Sequence, residues 1–146
     1  MMDRPIERAV VVKAMAIVRR PRDRAILVSE GRDSDGSLFQ RPLGGTVEFG
    51  ELTAQTIERE FVEELGVRLR TTKFLSVLEN LFHHQGVEGH EVVFLHEGDL
   101  EDEALYELET IPRIDGGIDV VTTWRPPDSR TPALVPKGIK VYLQEA

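Results

Sequence analysis

The chain has 146 residues, 40% apolar and 30% charged, which bounds it to one globular domain burying roughly 70% of its unfolded surface. Its net charge of −8, with no basic stripe, argues against gripping a nucleic-acid backbone. The absence of cysteine excludes disulfides, thiolate-held zinc, Fe–S clusters and thiol nucleophiles; no apolar run reaches the ~20 residues of a membrane span, and Met1 to Val12 lacks a signal-peptide core, so a cytoplasmic protein without membrane partners is expected.

In chain order, Ala9 to Val18 is rich in β-branched and apolar residues and reads as a strand. Arg19 to Arg24, with Pro21, reads as a turn, and Ala25 to Ser29 as a second short apolar run. Gly31 to Ser37 is polar, with Asp35-Gly36 as a turn signal. Gln40 to Glu51 holds Pro42, Gly44, Gly45 and Gly50 and reads as a loop needing unusual dihedrals or a close approach. Thr53 to Leu65 places Ala54, Ile57, Phe61 and Leu65 at steps of three and four, one face of a helix. Thr53 is expected to cap its start and Gly66 to end it.

Thr71 to Phe82 and Glu91 to His96 are β-rich runs flanking a polar stretch, His83 to His90, which suggests a hairpin. Asp99 to Glu109 is an acidic loop or short helix, with Leu105 and Leu108 as anchors. Ile118 to Trp124 reads as a strand, the proline-rich Arg125 to Pro136 as loop, and Gly138 to Glu145 as a short helix. Strands on both sides of one strong helix indicate an α/β sandwich with a mixed sheet.

The chemistry concentrates on the outer face of the central helix. Glu60, Glu63 and Glu64 stand at i, i+3 and i+4 and project to neighbouring positions, away from the core face. Such a face is ordinarily solvated. Here, however, the acids sit near the helix C-terminus, where the macrodipole disfavours anions, so a compensating cation is expected. Oxygen-only ligands select hard ions, Mg²⁺ first, with Mn²⁺ or Ca²⁺ next. Before the helix, Gly44-Gly45 exposes backbone where a carbonyl can ligate metal and amides can face phosphate. Arg59 is placed to pair with Glu63 one turn on, or to grip Glu51 by a bidentate contact.

Taken together, Gly45, Glu51, Arg59-Glu60-Phe61, Glu63-Glu64 and Gly66-Val67 resemble the Nudix box, G-x5-E-x7-R-E-U-x-E-E-x-G-U with U apolar. Every defined position is filled, and a chance match is on the order of one in a million. The resemblance implies a Nudix-like α/β/α sandwich with a mixed β-sheet and a loop–helix–loop box. It also implies metal binding by Glu60, Glu63, Glu64 and the Gly45 carbonyl, with Mg²⁺ or Mn²⁺ as cofactor. Glu51 and Arg59 are implied to support and orient the acids, and Glu63 or Glu64 to share the work of a general base. Relatives that use an acid outside the box direct attention to Glu79, Glu91, Glu97, Asp115 and Asp119.

Arg41, just before the glycines, and Gly44 are candidate substrate contacts, with Arg32 and Arg125 weaker ones. Phe39, Phe82 and Trp124 are candidates either for stacking on a base or for ordinary packing. His83, His84, His90 and His96 form no clear zinc pattern. The implied activity is hydrolysis of a nucleoside diphosphate linked to another group, such as ADP-ribose, a nucleotide sugar or a dinucleotide, releasing a nucleoside monophosphate. Two rivals stand beside it: a housecleaning nucleoside triphosphate pyrophosphatase, and a non-catalytic nucleotide sensor. The partner is then a small nucleotide, and a homodimer is compatible with the family.

Overall fold

In the computed structural model, residues 8–84, 86–114 and 120–143 are described. The elements run β1 (Val11–Val18), β2 (Ile26–Arg32), β3 (Leu38–Thr46), α1 (Thr53–Leu65), β4 (Leu69–His84), β5 (Val87–Leu100), a 3₁₀ turn (Glu103–Glu107), β6 (Val121–Arg125), β7 (Ala133–Leu134) and α2 (Lys140–Leu143). The strands form a mixed sheet in the order β4-β5-β1-β3-β2-β6, with β7 beside β3. β1 runs parallel to β5 and antiparallel to β3.

The sheet is covered on both faces, and β1 shows why its sequence is a continuous apolar run. Ala14, Ala16 and Val18 point to a core shared with Ile57, Phe61 and Leu65 of α1. Met15 and Ile17 point the opposite way, to a core with Val28, Val93, Leu95 and Ile139, against which Tyr142 and Leu143 of α2 pack. Burial of Ile57 and Phe61, 0% and 1% exposed, contributes about 1.5–3 kcal/mol each to docking the helix. The Glu58 carboxylate adds a polar tether, accepting from Thr71 N at 3.2 Å and Thr71 Oγ1 at 2.8 Å.

Several expectations are corrected. The segment expected as loop, Gln40 to Glu51, is strand as far as Thr46. β3 pairs with β2 over Leu38–Pro42 and with β1 over Leu43–Thr46, so Pro42 sits where the strand changes partner. Gly44 is there because the backbones crowd: a Cβ at that position would run into the Ala14 carbonyl oxygen. Thr53 does not cap α1. Leu52 occupies the cap position, its N–H satisfied by Gln55 Oε1 at 2.8 Å, while the Thr53 hydroxyl lies 2.8 Å from His96 Nε2. Gly66 does end the helix, in the left-handed conformation at φ 68°.

The polar stretch at His83 to His90 is mostly strand, because β4 and β5 stay paired out to His84 and Val87. In the acidic segment, the anchor is Tyr106 rather than Leu108. Tyr106 is buried against Trp124 at 5.7 Å and its hydroxyl accepts from Leu100 N at 2.9 Å, whereas Leu108 is exposed. The proline-rich loop contains the short strand β7. The expected start of β6 at Ile118 and the expected end of the last helix at Glu145 lie outside the described residues. No helix among the described residues is long and apolar enough to cross a membrane.

Candidate active site

The acids around the box are organised by one guanidinium. Arg59 donates from Nε to Glu51 Oε2 at 2.6 Å and from Nη2 to Glu51 Oε1 at 3.0 Å, the bidentate contact expected from sequence. Its Nη1 reaches Glu60 Oε1 at 3.0 Å and Glu63 Oε2 at 3.1 Å, and Nη2 also donates to the Thr46 carbonyl at 3.1 Å. Glu51 Oε1 accepts in addition from Glu48 N and Thr56 Oγ1, each at 2.9 Å. The Arg59 hydrogen bonds, backed by the Glu48 amide, hold the Glu51 carboxyl down at about 2. The same partnership, Glu51 first, raises Arg59 above its ordinary value. The loop between Thr46 and Glu51 is thereby tied to α1 by charge-assisted bonds.

The glycine before this loop makes room for an acid. A Cβ on Gly45 would fall on the Glu60 side chain, so the Glu60 carboxylate packs directly over the Gly45 backbone. Glu60 is only 16% exposed, whereas Glu63 is 59% exposed. Glu64 turns elsewhere, with Oε2 at 3.9 Å from Arg113 Nη2. Three of the expected acids, Glu51, Glu60 and Glu63, thus gather around the Arg59 guanidinium, with Gly45 beneath Glu60. Among the described residues no three acids close into a ready cage; the counter-charge for Glu51, Glu60 and Glu63 is Arg59.

Glu64 lies on a small cavity with Gly44, Gly45, Arg41, Lys13 and Arg113. Arg41, Met15 and Val120 also line a cleft of about 1150 Å³ that runs between β3 and the outer part of the β4–β5 hairpin. Arg41 therefore sits at the junction of the acidic site and the cleft. Arg113 and Lys13 were not anticipated: each is a single basic residue in its local sequence, and only folding brings them to the box. Among the weaker candidates, Arg32 lines the cleft. Arg125 does not; it is buried, donating to Gln40 Oε1 at 3.0 Å and to the carbonyls of Pro132 and Ser129 at 2.6 and 2.8 Å.

The aromatic candidates divide in the same way. Phe39 and Phe82 line the cleft, whereas Trp124 is a core residue whose Nε1 donates to the Leu108 carbonyl at 2.9 Å. Of the acids outside the box, Glu91 lines the cleft, Glu79 is exposed on the opposite side of its strand, and Glu97 is half-buried within electrostatic reach of Arg19. Asp115 and Asp119 lie outside the described residues.

His96 gives a pH signature at the start of α1. Burial lowers its pKa from the ordinary 6.5, partly opposed by the Glu58 charge. A folded value below the unfolded one means the unfolded chain binds the proton first. Stability from the neutral ring is therefore complete above about pH 6.5 and is lost as pH falls through 6.5 toward the lower folded value. Urea unfolding midpoints are expected to drop between pH 7.5 and 5.5, and the His96→Gln variant is expected to flatten that slope. An unchanged slope in the variant would assign the pH dependence to other groups.

Comparison with known proteins agrees with this fold. The family model described as NUDIX domain matches residues 10–142. A MutT NUDIX hydrolase from Burkholderia pseudomallei superposes with a TM-score of 0.66 at 22% identity, covering 94% of this chain and 98% of that one. A MutT protein from Methanosarcina mazei gives 0.62 at 14% identity, covering 95% and 94%. An ADP-ribose pyrophosphatase from Streptococcus suis gives 0.59 at 14% identity, covering 92% and 87%. These likenesses establish a shared fold, and the match over nearly the whole chain establishes the family. The chain therefore belongs to the Nudix family of hydrolases, enzymes that act on phosphoanhydride bonds.

Proposed function

We propose that this enzyme hydrolyses the diphosphate of a nucleoside diphosphate linked to a second group, releasing a nucleoside monophosphate. The observation that carries this reading is the size and direction of the cleft. It leads away from the box at Arg41 as an open groove of about 1150 Å³, above the roughly 300–1,000 Å³ usual for small-ligand sites. That volume suits a two-part substrate better than a nucleotide alone. The similarity to an ADP-ribose pyrophosphatase points the same way.

The donor set fits a hard divalent cation, Mg²⁺ or Mn²⁺, because each of its donors is an oxygen: the carboxylates of Glu60, Glu63 and Glu64 and the carbonyl of Gly45. The Glu60 carboxylate packed over Gly45 is the structural feature that suits this role, because it sets a side-chain oxygen directly against the Gly45 backbone. A cation there supplies charge neutralisation of the diphosphate and a lowered pKa for bound water. The chain's own residues do the rest. Arg41 and Arg113 flank the diphosphate and meet its oxygens. Arg59, gripping Glu51, holds Glu60 and Glu63 in their rotamers. Glu64, on the cavity wall, accepts the proton of the attacking water.

The test is a panel of nucleotide sugars, dinucleotides and nucleoside triphosphates with Mg²⁺ or Mn²⁺, products separated by chromatography. Linked diphosphates are expected to turn over best, each yielding a nucleoside monophosphate. Preference for a triphosphate would replace the linked-diphosphate reading with the housecleaning one. Metal-independent binding without turnover would identify a sensor instead.

A further inference from the structure

The end of the cleft farthest along the hairpin carries two aromatic side chains, each lying over a glycine on the neighbouring strand. In the β4–β5 hairpin Phe82 pairs with Gly89, and a Cβ on Gly89 would collide with the Phe82 ring. Across the cleft Phe39 pairs with Gly31, where a Cβ would come within 3.0 Å of the Phe39 Cζ. Each ring thus lies across a glycine of the paired strand, and both rings line the same cleft. The walls meet through His84, which packs edge-on to Phe39 at 5.3 Å and sets Nδ1 3.2 Å from Asp33 Oδ1.

Next to Phe82 on the inward face of the hairpin stands the pair Asn80 and Glu91. Both are half-buried, both line the cleft, and Asn80 Nδ2 donates to Glu91 Oε1 at 3.1 Å. A carboxylate only accepts, so the amide nitrogen must face Glu91, and the Asn80 oxygen faces away from it. This pair is therefore rich in acceptors. A carboxylate suits a phosphate poorly, so the part of the cleft beside Asn80 and Glu91 fits the base of a substrate, and the cations that also line the cleft, Arg32, Arg41 and Lys137, are left for its charged groups.

We infer that Phe82 is the stacking platform for a nucleobase, and that Glu91, steadied by Asn80, reads the edge of the base. Stacking on the Phe82 ring is tolerant of base identity, so selection falls to Glu91. A carboxylate presents two adjacent acceptors and matches two adjacent donors. Guanine offers these as N1–H beside its 2-amino group. Adenine alternates a donor with an acceptor on the same edge. Guanine nucleotides are the preferred substrates on this inference, which deepens the proposed function and rests on it for the placement of the phosphates.

Binding without turnover separates the two. The full chain, held metal-free with EDTA, is titrated calorimetrically with GMP, AMP and ribose 5-phosphate. GMP is expected to bind at least 10-fold more tightly than AMP, and ribose 5-phosphate weakest. Phe82→Leu, which keeps apolar bulk, is expected to weaken both nucleotides roughly 10-fold, with Phe82→Trp restoring them. Glu91→Gln is expected to erase the preference for GMP, with AMP affinity held or raised, because an amide offers adenine a donor beside an acceptor. Circular dichroism confirms folding of each variant. No GMP binding, equal binding of GMP and AMP, or wild-type affinity in Phe82→Leu overturns the inference, even if linked diphosphates are hydrolysed. Selective GMP binding by a protein that hydrolyses nothing in the panel overturns the proposed function and leaves the base site standing.

Discussion

Exchanging Glu64 for Gln is expected to lower kcat by about 10²–10⁴-fold, with the thermal midpoint within about 2 °C of wild type. The substitution keeps the shape of the side chain and removes only its charge and basicity. Its contact with Arg113 is long, 3.9 Å, and Gln keeps the size and polarity that this partly buried position needs. In the reading proposed here, though, Glu64 serves the metal and the water together, so its charge is needed where the bond breaks. Steady-state kinetics with Mg²⁺ and Mn²⁺ varied separately test this, and the apparent metal affinity is expected to fall along with turnover. Near-normal kcat in a folded Glu64→Gln protein would remove Glu64 from the mechanism.

The adjacent glycines are expected to respond to alanine in opposite ways. At Gly44 the new methyl meets the Ala14 backbone carbonyl inside a paired strand. Backbone cannot swing aside, so β1 and β3 must part, at a cost of about 3 kcal/mol. For a chain of this size that is a fall of roughly 6–12 °C in melting temperature. At Gly45 the methyl meets the carboxyl end of Glu60, a flexible group that can rotate away. Stability is expected to change little, while displacement of that carboxylate by about 1 Å costs on the order of 10²-fold in kcat/KM. Melting curves and kinetics on the two variants distinguish the roles. A Gly44→Ala protein that melts like wild type would refute the crowding at β1, and a fully active Gly45→Ala protein would show that the seat of Glu60 is unimportant.

What proved legible in the sequence was local. Ile57, Phe61 and Leu65 repeat at helical spacing, and Gly66 follows them with freedom to turn left-handed, so α1 is found where its periodicity places it. The contact of Arg59 with Glu51 was readable because both lie on one short loop–helix segment whose geometry is nearly invariant once the helix forms. The reading failed where a residue answers to a distant neighbour. Three glycines and a proline in one stretch speak for loop, yet β3 continues through it, since two flanking strands satisfy its backbone and Gly44 relieves the contact with Ala14. Thr53 looked like a cap, but its hydroxyl is taken by His96, 43 positions away in the chain.

By itself, then, the sequence determined the family, the core helix and the set of acids on its outer face. Those depend on spacing within some two dozen consecutive residues, and helical geometry translates such spacing directly into direction. Only the tertiary structure decided which arginine stands beside Glu64, which aromatic residues meet the cleft and which vanish into the core. Trp124 and Phe82 look equally suited to a base on paper. Pairing of β6 with β2 buries the first, while the reach of the hairpin past β1 leaves the second facing the cleft. Long-range strand pairing sets those fates, and no local pattern encodes it.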